Sequence, residues 1–264
     1  MDFALLAELP CQSVLPATGS QNERPHNCIL SDWSLARQTL RFRYVRPVIE
    51  ALLFDLDGTL IDSEPLHKQA EIETFAKFGV DVSSMDLQPY TGATLTAMLE
   101  GIGSDFGTSI AKESFMEVEI PILSTYIAER MRMFGDAIDF LDATRGVRRA
   151  LVTSSMPWYV EKVLERFAEL QCAFHCIVHG ESVSFGKPDP EPYQMAAMLL
   201  GVEPDRCLVF EDSLNGIASG VRAGCRVVAI DRCGEAPTGA YEIWPDFDAG
   251  RLSRFETGLD PRLK

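Results

Sequence analysis

Four short runs concentrate the side chains that could do chemistry. Asp55-Leu56-Asp57-Gly58-Thr59 sets two carboxylates two residues apart at a turn, and Thr153-Ser154-Ser155 supplies hydroxyls. Gly186-Lys187-Pro188-Asp189-Pro190-Glu191 carries an ammonium, and Glu211-Asp212-Ser213 adds two adjacent carboxylates. Hard carboxylate oxygens grouped this way suit Mg2+, which keeps few protein ligands and completes its shell with water and phosphate oxygens. A lysine, a threonine and the backbone N–H groups after Thr153 suit the phosphate oxygens themselves. Taken singly, each run is weak. Asp-x-Asp-Gly also opens calcium loops, although Leu66 stands where the twelfth-position Glu of such a loop would be. A lone lysine before proline is commonly a solvated charge, and Glu-Asp pairs are common on surfaces.

Their placement strengthens them. Ala51-Leu52-Leu53-Phe54 is nearly continuously apolar, the pattern of a strand buried on both faces. Similar runs recur at 150–153, 176–178, 207–210 and 226–230, with helix-like stretches at 158–170, 192–200 and 213–223 between the later ones. That alternation predicts an α/β fold, a Rossmann-like doubly wound parallel sheet. Ligands of such sheets bind beyond the carboxyl ends of the strands, where the first, second and fourth runs end in these motifs. The gap between the first two strands is too long for a simple crossover. Amphipathic stretches at 66–78, 95–101 and 110–134, separated by Gly and Pro breaks, predict an inserted α-helical cap. The expected organisation is an extension at 1–46, a core from 47–65 and 141–264, and a cap from 66–140. The extension is aperiodic apart from a possible helix at 31–40, and Val45 is a candidate alternative start.

Composition bounds the partners. The 264 residues carry 24 Lys+Arg against 39 Asp+Glu, a net charge of −15. Residues 1–46 hold five Arg and four acids, so the body of the protein carries −16. A field of that sign disfavours nucleic acid and anionic membranes and leaves small molecules as partners. Seven scattered cysteines do not resemble a disulfide framework, and a reducing cytoplasm is expected. Cys172, His175, Cys176 and His179 lie within eight residues, but their spacings interleave instead of forming separate zinc knuckles, and small buried cysteines are the simpler reading. No apolar run is long enough to span a bilayer, and the first 17 residues lack the basic start and unbroken apolar stretch of a signal peptide. A monomer is the default.

In the order DLDGT, TSS, GKPDPEPY and FEDS, with a cap-sized gap between the first two, the chain resembles the haloacid dehalogenase superfamily, in its phosphatase and phosphomutase branch with a helical cap. The likeness covers about residues 48–230. It implies that Asp55 attacks phosphorus to form an aspartyl-phosphate. Mg2+ would be held by Asp55, the backbone carbonyl of Asp57 and Asp212, with Glu211 direct or through water. Asp57 would protonate the leaving alkoxide and then deprotonate the hydrolytic water. Thr153 and the N–H of Ser154 would bind phosphoryl oxygens, Lys187 would shield the nucleophile's charge, and Gly58 would allow the turn after the second Asp.

The same resemblance points to His67, twelve residues after Asp55, as a hinge histidine that helps position the acid; a helix-surface histidine is the alternative. Tyr90-Thr91-Gly92-Ala93-Thr94 looks like a substrate loop, with Gly92 at its turn, but lacks the Arg with which β-phosphoglucomutase-like enzymes hold a second phosphate. A phosphatase of a small phosphorylated metabolite (sugar phosphate, phosphosugar acid or phosphoglycolate) is therefore expected over a sugar phosphomutase. A dehalogenase would need neither Asp57 nor a metal set. A phosphonate hydrolase would need a Schiff-base lysine, for which Lys68 and Lys77 are the early-cap candidates, both at solvated helix positions. A silent binding domain would show damaged motifs.

Overall fold

Ala51–Phe54 (β1) offers no polar side chain, and all four residues are fully buried. A run like this must be covered on both faces, and it becomes an inner strand of the sheet. The computed structural model describes residues 48–85, 95–234 and 237–255; the possible helix at 31–40, Val45 and the loop carrying Gly92 lie outside them. Helices Glu64–Lys77 (α1), Leu95–Phe106 (α2) and Lys112–Glu129 (α3) follow β1. Next come Gly135–Ala143 (α4), Arg148–Val152 (β2), Pro157–Arg166 (α5), Ala168–Gln171 (α6) and Cys176–Val178 (β3). The chain continues through Glu191–Leu200 (α7), Cys207–Glu211 (β4), Leu214–Arg222 (α8), Arg226–Ile230 (β5) and Glu242–Trp244 (β6).

The strands form a six-stranded sheet of order β3-β2-β1-β4-β5-β6, with every pairing parallel. Phe54 stands beside Leu151 on one side and Phe210 on the other. The two-residue period sorts the strand side chains. Leu52 and Phe54 join Phe140, Phe210 and Trp244 on one face, whereas Ala51 and Leu53 meet Tyr193, Ala196 and Ile217 on the other. On the second face α8 approaches the sheet closely through a glycine: a Cβ on Gly220 of α8 would stand 2.8 Å from Val227 Cγ2. Order along the sheet reverses at β1, which opens a crevice above its carboxyl end.

The insertion has its own apolar centre, in which Phe75, Val82, Leu99, Ile102 and Phe115 are buried, with the Phe75 and Phe115 rings 4.9 Å apart. Its two linkers run side by side: Asp62 N donates to Arg132 O at 3.0 Å and Phe134 N to Leu60 O at 3.1 Å.

Several boundaries depart from the sequence expectations. The cap was expected to run to residue 140, but α4 packs on the sheet, with the Phe140 ring 6.0 Å from Phe54 and 5.1 Å from Phe210. Its apolar positions Ala137, Phe140 and Leu141 form one helical face turned to the core, so the insertion ends at the linker before Gly135. The stretch at 158–170 breaks at Phe167, whose backbone is extended (φ −121°, ψ 96°) as its ring goes inward. β6 was not anticipated. Glu242-Ile243-Trp244 lacks the continuous apolar run that marks the equally short Cys176–Val178, and the strand exists through its pairing with β5.

Candidate active site

β1 delivers Asp55 to the crevice, and Asp55 N continues the ladder to Phe210 O at 3.0 Å. The chain then turns within a few residues, with Gly58 N donating to Ile61 O at 2.9 Å. Gly58 sits at φ +76°, and a Cβ there would lie 2.1 Å from Asp212 Oδ2. Both the backbone conformation and the close approach require glycine. The two loops meet because Thr59 Oγ1 donates to Asp212 Oδ1 at 2.9 Å.

Lys187 is the centre of the charge arrangement. Its Nζ donates to Asp55 Oδ1 at 2.5 Å, Glu211 Oε1 at 2.6 Å and Val152 O at 2.9 Å. Glu211 is fully buried and doubly tied: Oε1 also accepts from Tyr193 at 3.0 Å, while Oε2 accepts from the N–H and hydroxyl of Ser213, both at 3.0 Å. Burial would strip the proton from Lys187, but Asp55 and Glu211 reverse this and hold its pKa above the ordinary value. Burial raises Asp55 well above the usual carboxylate range; Lys187 opposes this, and the charges of Glu211, Asp212 and Asp57 add to it. Burial and then Glu211 push Asp212 up to about 7, against the hydrogen bond from Thr59.

Asp55, Glu211 and Asp212 each offer an oxygen, and these lie within 4.8 Å of one another. Oxygens around an octahedral Mg2+ at about 2.1 Å would be about 3 Å apart when adjacent and about 4 Å when opposite. Three hard anionic donors against one ammonium therefore suit a hard divalent cation in charge, and their oxygens lie close enough together for small side-chain movements to bring them around one ion. Among the described residues no other group of three or more His, Cys, Asp or Glu meets on this scale. His175, from the Cys/His-rich stretch, instead accepts the Arg149 N–H at 3.2 Å through Nδ1.

Asp57 occupies a different environment. Its Oδ1 accepts from the Tyr159 hydroxyl at 2.6 Å and its Oδ2 from Ser155 Oγ at 2.7 Å. His67 Nε2, from the cap helix α1, stands 3.9 Å from Oδ1. Burial works against ionisation of Asp57, but His67, Ser155 and Tyr159 outweigh it and hold the group at about 2. For His67, burial would lower the pKa, and Asp57 with the more distant Glu119 and Glu71 raises it.

The remaining predicted positions fall along the same rim. Thr153 is buried at the end of β2, where its Oγ1 accepts from Ser155 N at 3.0 Å. Ser154 is exposed beside it. Asp55, Asp57, Thr153, Lys187, Glu211 and Asp212 thus come from four separated segments to one edge, with His67 reaching in from the cap. Sequence reasoning assigned no role to Thr59, Ser155, Tyr159 or Tyr193. Thr59, Ser155 and Tyr193 stood inside the quoted motifs; for Thr59 and Ser155 a hydroxyl just past a strand end was the available signal, whereas Tyr193 lies in the first turn of α7. Tyr159 carried none, because only the rotation of α5 turns it toward Asp57.

A parallel α/β core, a helical insertion after the first strand and an acidic cluster at the carboxyl edge together define a capped hydrolase of the Rossmann-like type. Residues 49–224 match the haloacid dehalogenase-like hydrolase family model, and the chain belongs to that family. It is 35% identical over 181 residues to validoxylamine A 7'-phosphate phosphatase of Streptomyces hygroscopicus subsp. limoneus, covering 67% of this chain and 84% of that protein. It is 30% identical over 190 residues to the chloroplastic protein Suppressor of Quenching 1 of Arabidopsis thaliana, covering 69% of this chain but spanning only 18% of that protein. Among solved structures it resembles CbbY from Rhodobacter sphaeroides, crystallised with xylulose-(1,5)bisphosphate, with a TM-score of 0.67 and 27% identity over 76% of this chain and 95% of that one.

Proposed function

We propose that the chain is a Mg2+-dependent phosphomonoester hydrolase acting on a small phosphorylated metabolite through an aspartyl-phosphate. The observation that carries this reading is the division of labour between two carboxylates two residues apart. Asp55 lies with Lys187 among the potential metal ligands, and Asp57 lies among hydroxyl donors and His67. Placement, not proton affinity, separates their roles: without a bound cation burial favours a protonated Asp55 and the donors around Asp57 favour its carboxylate, but only Asp55 lies among the potential metal ligands with Lys187. The phosphorylated compounds named in the Streptomyces relative's activity and in the bacterial complex agree with this class.

In the first step an Asp55 oxygen attacks phosphorus and the phosphorus–oxygen ester bond breaks; Asp57, a carboxylate in the free site, takes up a proton from water as the anionic phosphate binds beside it and gives that proton to the departing alkoxide. Lys187, Thr153 and the Ser154 N–H hold phosphoryl oxygens and spread their charge. In the second step the Asp57 carboxylate takes a proton from water, whose oxygen attacks phosphorus; Asp55 is regenerated and inorganic phosphate leaves. Asp55, Asp212 and the Asp57 carbonyl, with Glu211 in support, would hold Mg2+, which when bound would supply the positive charge that lets two anions meet.

The test measures phosphate release from a panel of phosphorylated metabolites with Mg2+, with EDTA, and with the Asp55→Asn variant. Release should need Mg2+, return when Mg2+ is restored after chelation, and vanish in a folded Asp55→Asn protein. Activity that persists in EDTA or in Asp55→Asn refutes the reading, as does isomerisation of a hexose 1-phosphate that outruns release.

A further inference from the structure

Tyr159 has no part in the chemistry described above, yet it touches two of the residues that do. Its hydroxyl donates to Asp57 Oδ1 at 2.6 Å, within the short range of hydroxyl–carboxylate hydrogen bonds. Its ring centroid lies 5.1 Å from that of His67 on the cap helix and 5.8 Å from that of Trp158. The residue is 2% exposed and stands at the start of α5, behind Pro157.

The two donors to Asp57 differ in stiffness. Ser155 Oγ sits on a half-exposed loop residue and can rotate about one bond. The Tyr159 oxygen lies in the plane of a packed ring and cannot move unless the ring moves. A carboxylate on the short Asp57 side chain could otherwise turn about two bonds, and proton transfer to a leaving oxygen requires hydrogen-bond reach in a defined direction. With Oδ1 anchored to a buried ring and Oδ2 to a loop hydroxyl, the carboxylate plane is held on both sides. The same ring bears on His67, so one side chain of the core meets both the acid and the cap residue nearest it.

We propose that Tyr159 is a positioning residue for Asp57, holding its carboxyl group in the orientation needed to protonate the leaving group. This rests on the reading of Asp57 as the acid given above, and the following experiment separates the two. Wild type, Tyr159→Phe, Asp57→Asn and the double variant are assayed on an alkyl phosphate, whose leaving group needs a proton, and on p-nitrophenyl phosphate, whose leaving group departs without one. For Tyr159→Phe, kcat/KM on the alkyl ester should fall by about ten- to hundredfold. On the aryl ester the fall should be several times smaller, with the KM for both little changed. In the Asp57→Asn background, Tyr159→Phe should cost almost nothing further.

Equal losses on both esters, or undiminished losses in the Asp57→Asn background, overturn the positioning role, as does an unchanged alkyl-ester rate. If Asp57→Asn itself shows no dependence on the leaving group, the acid assignment fails, and the role of Tyr159 fails with it. A thermal melt of each variant checks folding, and Tyr159→Trp, which fills the space without placing a hydroxyl there, should reproduce the ester selectivity of the Phe variant.

Discussion

Glu119 on α3 is a half-buried carboxylate in the cap, and its environment makes a quantitative prediction. It faces Glu71 and His67 on α1. Burial, and then the charge of Glu71, push it from 4.5 to about 7 against the pull of His67, and Glu71 is itself raised chiefly by burial. An acid whose folded pKa lies above its unfolded value binds its proton more tightly when folded. Its contribution is therefore fully present below the unfolded value of 4.5 and is lost as pH rises through about 7. The difference corresponds to about 3 kcal/mol at alkaline pH, as an upper bound that hydration of the partly accessible group reduces.

Glu119→Gln keeps the shape and removes the ionisation. At about 2–4 °C per kcal/mol for a chain of this size, it should raise Tm at about pH 8 by as much as about 10 °C. At about pH 5, where the wild-type group keeps its proton in the folded state, the gain should largely disappear. Thermal melts followed by circular dichroism across that range provide the measurement. Adding Glu71→Gln should contribute less than it does alone, because each carboxylate is part of the other's penalty. A Glu119→Gln gain that is the same at both pH values, or a loss at about pH 8, would refute the reasoning.

Lys187→Met should abolish turnover and destabilise the protein by about 3–5 kcal/mol, since it strands the buried carboxylates of Asp55 and Glu211 without their counter-charge. Millimolar Mg2+ should restore part of the lost Tm, and a variant as stable as wild type in EDTA would contradict the charge arrangement. Gly216→Ala should also inactivate, because its Cβ would fall 1.6 Å from Glu211 Oε1 and displace a side chain bonded to Lys187, Tyr193 and Ser213. Overpacking of this kind costs about 1–3 kcal/mol, so a melt should show a moderate loss of stability beside a severe loss of rate. Unchanged kcat in Gly216→Ala would mean that Glu211 does not need its observed position.

Much of the site was legible because its residues are tied to strand ends. Once Ala51–Phe54 and Cys207–Glu211 are read as buried parallel strands, Asp55, Asp57 and Asp212 have nowhere to go but the carboxyl edge, whatever the packing beneath them. Gly58 was legible for a similar reason, since a turn directly after a strand is a local backbone requirement. Lys187 could be placed on the rim but not joined to Glu211 and Asp55 at hydrogen-bond distance, because that contact depends on how the loop before α7 lies over the sheet.

What the sequence determined by itself was whatever local pattern controls: the alternation of buried strands and helices, the long gap holding the insertion, and the order of the motif residues. Tertiary structure alone decided which helix faces look inward. Tyr159 reaches Asp57 across 102 positions, and α4 joins the sheet instead of the cap, although nothing in either segment names its partner. Glu119 meets Glu71 and His67 only because α1 and α3 pack together. Helical period gives the face that a side chain shares with its neighbours, but the rotation of that face about the helix axis is set by packing against distant elements.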